Sequence, residues 1–303
     1  MRLSLLARRP GITVLIGALA IAFSGILYRV SHVSPSTGAF YRCVWALPFL
    51  YLASVYEERR WGPRPLQSRV YAWIAGVFFA ADLVLWHNAV DQVGAGLATV
   101  LGNIQVVLVG LLAWVLLRER PSNASLAAIP VVAVGIVLIS GVLEAGAYGA
   151  NPQLGAVLGV LTGVAYSGFL LALRQGGRGV IGPGGPLFDA TLSAAFFCMV
   201  IGLLLHDLDF TPSLAAQGWL ILLAVSSQVL GWLLIAISLP RLPAVVTSVS
   251  LTFQPLCSVL LAALILSESP SGLQLLGAAG ILLGLVIASL GRRAPPPEPE
   301  LAG

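Results

Sequence analysis

The sequence contains no lysine, and Asp, Glu, Lys and Arg together make up only 9% of its 303 residues. A domain of this length in water covers itself with charge, so the shortage excludes an ordinary soluble globular chain. Histidine and cysteine each occur three times. Cys43, Cys198 and Cys257 lie far apart without paired spacing, which points to neither a disulfide framework nor a metal site. There is no HExxH motif, no cysteine cluster and no phosphate-binding glycine loop, so metalloproteolysis and ATP-driven work within this chain have no support, and no cofactor is expected. Of twelve carboxylates only Asp82 falls deep inside an apolar run.

What fills the chain is apolar: 58% of residues are hydrophobic and the mean hydropathy is +0.96. A stretch of about 20 such residues spans a bilayer core as a helix. Ten stretches separate at charged or Pro/Gly-rich breaks, at 12–31, 36–56, 70–90, 93–117, 124–143, 154–173, 187–205, 216–238, 243–266 and 272–290. Unbroken runs such as VVLVGLLAWVLL argue against the short alternating segments of a β-barrel. The expected fold class is therefore an all-α polytopic membrane protein with ten transmembrane helices. The first stretch has the look of a signal peptide, but no small-x-small cleavage site follows it and nine more spans do.

All sixteen basic residues are arginine, and their placement sets an orientation. With both termini in the cytoplasm, Arg2, Arg8, Arg9, Arg59, Arg60, Arg64, Arg69, Arg118, Arg120, Arg174, Arg178, Arg241, Arg292 and Arg293 all fall on the cytoplasmic side and none on the other. This bias is the positive-inside signal, and one missed helix would scramble it. The opposite loops hold Asp91, Glu144, Asp207, Asp209 and Glu268. The net charge of +4 thus describes a topology in a lipid bilayer and gives no reason to expect a nucleic-acid partner. The tail 291–303, with RRAPPPEPELAG, is expected to be disordered and cytoplasmic.

Residues 105–122, QVVLVGLLAWVLLRERPS, return 149 positions later as QPLCSVLLAALILSESPS, with eight identities in eighteen. AFSG at 22–25 similarly returns as AYSG at 165–168. The chain thus divides into repeats at 12–143 and 154–290, each of five helices. Five is odd, so the second repeat enters the membrane from the opposite side. That inversion explains why Glu119 is flanked by Arg118 and Arg120 while Glu268 is flanked by serines. Inverted repeats recur in secondary transporters, where exchange between the halves opens a central site to either side in turn.

FYRCVWALP at 40–48, ADLVLWHNAVDQVGAGLATVLGNIQ at 81–105 and the Glu-x-Pro ending helices 4 and 9 resemble EamA-type carriers of the drug/metabolite transporter superfamily. The resemblance covers residues 12–290. It implies a carrier, not an enzyme, that exports amino acids and related metabolites or moves other small organic solutes across the plasma (inner) membrane, with substrate in a cavity between the halves. Exporters of amphipathic or cationic drugs are the alternative it leaves open. Two departures stand out. Pro255 in helix 9 has Val106, not proline, at its counterpart, which weakens any mechanism needing two matched helix breaks. Helix 1 also lacks the carboxylate through which small related multidrug carriers couple protons, so proton coupling, if present, falls to Asp82.

Charges inside spans are costly and mark candidate sites. Arg42 and Asp82 lie at similar depths in helices 2 and 3 and are expected to face one cavity. Either Arg42 recognises a carboxylate, with Asp82 pairing it or an amine, or the two form a structural ion pair. Asn103 and Gln105 in helix 4, with Thr252 and Gln254 at the matching places in helix 9, put polar groups near midspan in both halves. They line a solute pocket or join helices. Tyr41, Trp45, Trp86, Tyr166 and Trp232 are candidates to wall that pocket or stack on an ammonium group. Arg29 is expected to snorkel to the interface, His87 to hydrogen-bond near it, and Asp189 to supply charge at the start of helix 7. Gly277 and Gly284 share a face of helix 10, either for packing or for a dimer; monomer and homodimer stay undecided. Ser24 and Ser167 would be the nucleophiles of an intramembrane enzyme, but no histidine has an evident route to either.

Overall fold

A computed structural model describes residues 10–238, 242 and 244–290; the expected tail lies outside them. The described residues form helices and no strand. Ten rods follow one another: α1 Pro10–Ser31, α2 Pro35–Trp61, α3 Leu66–Val93, α4 Ala95–Leu116, α5 Asn123–Ile139, α6 Pro152–Gly176, α7 Gly184–Leu205, α8 Leu214–Ser238, α9 Ala244–Ile265 and α10 Gly272–Leu290. Eight of them are long and apolar enough to cross a membrane, while α5 and the stretch Thr252–Ile265 of α9 are shorter. At 1.5 Å per residue, the 17 residues of α5 give about 25 Å, a little under a bilayer core.

The rods start where the sequence supplies caps. Ser34, Ser122, Asn151 and Ser213 each accept the third following backbone N–H with a side-chain oxygen, and Pro35 and Pro152 take first-turn positions where no N–H is needed. Large apolar side chains such as Leu264, Val115 and Leu204 point outward from the bundle, as a chain solvated by lipid requires. Inside, Phe79, Phe169, Cys43 and Cys198 pack between α2, α3, α6 and α7, and a longer seam runs through Trp86, Leu97, Leu101 and Ile104.

The repeat of 149 residues reappears as paired geometry. Ser125 donates its hydroxyl to the Ala288 carbonyl, and Gln274, its counterpart, donates its amide to the Ile139 carbonyl, the counterpart of Ala288. These bonds tie α5 to α10, whose glycine face is used within the chain. Gly277 lies on Gly135 and Leu138, and Gly284 on Val132. That face is thus occupied by α5 within the chain. The α2–α7 pair is also reciprocal. Glu57, near the end of α2, accepts the first backbone N–H groups of α7, Gly184 and Gly185, both at 2.8 Å. Asp207, just past α7, accepts Ser36 N–H at the start of α2 at 3.3 Å. Pro35 and Ser36 are 149 residues before Gly184 and Gly185.

Two local departures matter for the centre of the bundle. The rod that keeps its proline, α9, is helical from Ala244 to Ile265 across Pro255. Its proline-free counterpart α4 is the one that breaks, at Asn103–Ile104, between helical stretches Ala95–Gly102 and Gln105–Leu117. The Asn103 amide donates to the Thr99 carbonyl at 2.8 Å, and Val106 and Val107 bond back three residues instead of four. A side chain competing for the backbone accounts for the kink without proline. In α8, residues Ala224–Gly231 adopt π-helical winding, a form concentrated at functional sites.

Candidate functional site

The breaks surround a central cavity of about 60 Å³. Its wall comes from α1, α2, α3, α4, α6, α8 and α9, whereas α5, α7 and α10 stay behind. The space is contracted relative to ligand pockets of about 300–1,000 Å³.

Arg42 is the cationic centre of this wall. It is 4% exposed, and its Nε donates to Gln228 Oε1 at 3.2 Å. Gln228 is buried too, and its Nε2 donates to Thr191 Oγ1 at 3.2 Å. A relay of α7, the π-wound stretch of α8 and α2 therefore fixes one edge of the guanidinium. The Trp86 ring lies 5.9 Å from the guanidinium carbon, within cation–π range. Asp82 shares the cavity, but among the described residues no ion pair joins it to Arg42. The direct Arg42–Asp82 ion pair, one of the two alternatives the sequence offered, is thus not formed here, and the partner that Arg42 Nε takes is Gln228.

Six of the nine sequence-derived candidates meet here, namely Arg42, Asp82, Trp86, Asn103, Tyr166 and Gln254. The other three do not line the cavity. Tyr41 turns to the α7–α8 loop, donating its hydroxyl to the Phe210 carbonyl at 2.9 Å and stacking on Trp45, whose Nε1 bonds Gln217. Gln105 starts the stretch below the α4 kink and is buried, its carbonyl facing the Ser167 hydroxyl. Thr252 lies two residues before Gln254 on α9 but off the lining. Helical phase explains these misses, since depth along a rod carries no information about which way a side chain turns.

The sequence reading also passed over Thr99 and Thr162, which line the space, and Gln228, which does not line it but holds Arg42 from behind. The Thr162 hydroxyl is buried with no hydrogen-bond partner among the described residues. Thr99 ties α4 to α9 through Ser258. Their only sequence signal was polarity inside an apolar run.

Other expectations change in detail. Arg29 pairs with Asp91 at 3.2 Å on the surface, and Asp91 belongs to the last turn of α3 instead of a loop. His87 is fully buried, its ring against Tyr28 and Trp86. Asp189 sits beyond the first turn of α7 and pairs with buried Arg64 at 2.8 Å, while Glu57 supplies the charge at that helix start. Ser24 lines the cavity, and Ser167 donates to the Gly163 carbonyl in its own helix.

A model of the EamA-like transporter family matches residues 9–141 and again residues 153–290. The chain belongs to the EamA-like transporter family and is a multi-pass membrane protein. A solved structure described as "Crystal structure of protein" is similar to it, with a TM-score of 0.62 and 19% identity over 97% of this chain and 100% of its own. At that identity the likeness establishes the fold. None of the curated proteins compared with the chain matches it.

Proposed function

We propose that this family member is a secondary transporter of the plasma membrane that exports small carboxylate-bearing metabolites, amino acids among them, by alternating access. The observation that carries the reading is Arg42: a buried guanidinium at a central cavity, held at Nε by a neutral amide and not by a carboxylate. A guanidinium so placed keeps its terminal nitrogens for a bidentate guest. Asp82 across the same cavity supplies the complement for an ammonium group, so a zwitterion fits both charges. The arginine-rich end faces the cytoplasm in this reading, in keeping with the arginine bias.

A second reading draws on the aromatic wall of Phe79, Trp86, Tyr166 and Trp232, which suits an amphipathic or quaternary cation. One experiment separates the two. Purified protein in proteoliposomes is offered a labelled panel of neutral, acidic and basic amino acids, a sugar, a nucleobase and a quaternary ammonium, with Arg42→Ala beside it. Saturable uptake of carboxylate-bearing solutes that vanishes in the variant supports the metabolite carrier. Uptake of the quaternary cation alone, untouched by the variant, moves the protein to the drug-exporter reading. If transport is proton-coupled, Asp82→Asn removes its dependence on the pH gradient; unchanged coupling assigns the proton elsewhere.

A further inference from the structure

The two Glu-x-Pro segments leave their helices by the same backbone path and then do different things. After α4, Arg118 is left-handed at φ 58° and Glu119 N–H returns to the Ala113 carbonyl at 3.2 Å. After α9, Ser267 is left-handed at φ 55° and Glu268 N–H returns to the Ala262 carbonyl at 3.3 Å. Each pair is 149 residues apart, so the two carboxylates are launched equivalently.

Glu268 lies at the acidic end of the bundle, 6% exposed. Its Oε1 accepts Ala95 N–H at 2.7 Å and its Oε2 accepts Gly96 N–H at 3.2 Å, which closes the end of α9 onto the start of α4. Gly94, with φ 90°, makes the approach possible: a Cβ there would lie 2.7 Å from Glu268 Oε2. Glu119 lies at the arginine-rich end, half exposed, and its oxygens take a fork from Arg174 at 3.1 and 3.4 Å. By the same offset, the counterpart of the Ala95–Gly96 start of α4 is the start of α9 at Ala244 and Val245. The α2–α7 caps, by contrast, are made at both ends at once. Broken symmetry is therefore concentrated where α4 and α9 meet, and those two rods put Thr99, Asn103 and Gln254 on the cavity.

We infer that Glu268 and Glu119 are alternating gate latches: Glu268 on the start of α4 shuts the acidic end, and in the opposite conformation Glu119 leaves Arg174 and caps the start of α9 to shut the arginine-rich end. The inference rests on alternating access and is independent of which solute is carried. It gives the repeated glutamate a task in each half, one occupied and one idle in any conformation.

The test is site-directed labelling with a membrane-impermeant maleimide, in vesicles of both orientations. The protein carries Cys43, Cys198 and Cys257 replaced by serine and a single reporter cysteine in place of Thr99. Glu268→Ala uncaps α4, so labelling from the acidic end should rise about tenfold or more and labelling from the arginine-rich end should fall. Arg174→Ala, at an exposed pair that the fold does not need, releases Glu119 and should shift accessibility in the same direction. Glu119→Ala should shift it the other way. Unchanged labelling in folded Glu268→Ala and Arg174→Ala proteins, or a shift of the same sign in Glu119→Ala, overturns the latch. If accessibility responds to a transported solute and not to these variants, the latch alone has failed. If it responds to neither, alternating access has failed with it.

Discussion

Replacing Gln228 by Glu tests the site at its least visible member. The substitution keeps the shape and an acceptor toward Arg42 Nε, now 3.2 Å away, while the Thr191 hydroxyl, which accepts from the Gln228 amide, must rotate to donate to the carboxylate instead. What changes is the charge. Two unit charges about 4 Å apart interact by roughly 4 kcal/mol at an effective dielectric constant near 20. A ligand carboxylate must then share or displace a partner that is already ionised. If half of that interaction is lost from binding, affinity falls about 30-fold, and if all of it is lost, about 1,000-fold. Scintillation-proximity binding on purified Gln228→Glu protein, with the carboxylate solute found in the transport panel, measures the loss directly. A quaternary ammonium bound in parallel should hold its affinity or gain. Native affinity for the carboxylate in a variant that melts at the native temperature would refute the assignment of Arg42 as its receptor.

Other expectations follow from packing and burial. Gly277→Val forces a Cβ to within 2.6 Å of the Gly135 carbonyl and should destabilise the α5–α10 pair by about 1–3 kcal/mol in thermal unfolding, while Gly110→Ala, with nothing within 4 Å, should not. Arg64→Ala strands buried Asp189 and should cost about 3–5 kcal/mol by the same measurement, most of it recovered when Asp189→Leu is added. Burial pushes the Glu268 carboxyl above the usual range, against the Ala95 and Gly96 N–H groups and Arg29 that hold it down, with Tyr148 beside it. Its proton affinity is thus higher with the latch shut than with it exposed. Acid should favour the shut form as pH falls through the raised value, with the gain complete below the exposed value near 4.3. Maleimide labelling from the acidic end, taken at each pH as the ratio of native to Glu268→Ala protein so that ionisation of the reporter thiol cancels, should therefore decline as pH falls through that raised value.

The fold was legible because it is written in runs: the apolar stretches, bounded by arginine or by turn residues, became helices with ends displaced by a few residues, eight of them long and apolar enough to cross a membrane and two apolar ones shorter. The largest displacement is that of α2, which runs to Trp61 instead of 56, with Arg59 and Arg60 in its last turn. The 149-residue echo announced a symmetry that the Ser125 and Gln274 bonds then displayed. The site was legible only in part. Arg42 and Asp82 met because depth can be counted along a span. Tyr41 and Thr252 missed because rotation cannot be counted where every face is apolar. Gln228 was invisible for a related reason, since π winding shifts the phase that a 3.6-residue period would assign. Proline misled most: the kink came from Asn103 closing on its own helix, a choice made by a side chain and not by a missing N–H.

The reciprocal caps of α2 and α7 have a consequence for biosynthesis. The N–H of Ser36 waits for a carboxylate 171 residues downstream. At about 5–20 residues per second, a ribosome delivers Asp207 some ten to thirty seconds after Ser36 has emerged. During that interval the early helices stand in the membrane with an unfinished end and an open groove, and they cannot complete themselves. Chaperones and membrane proteases have their opportunity then, before the second half arrives to close the groove.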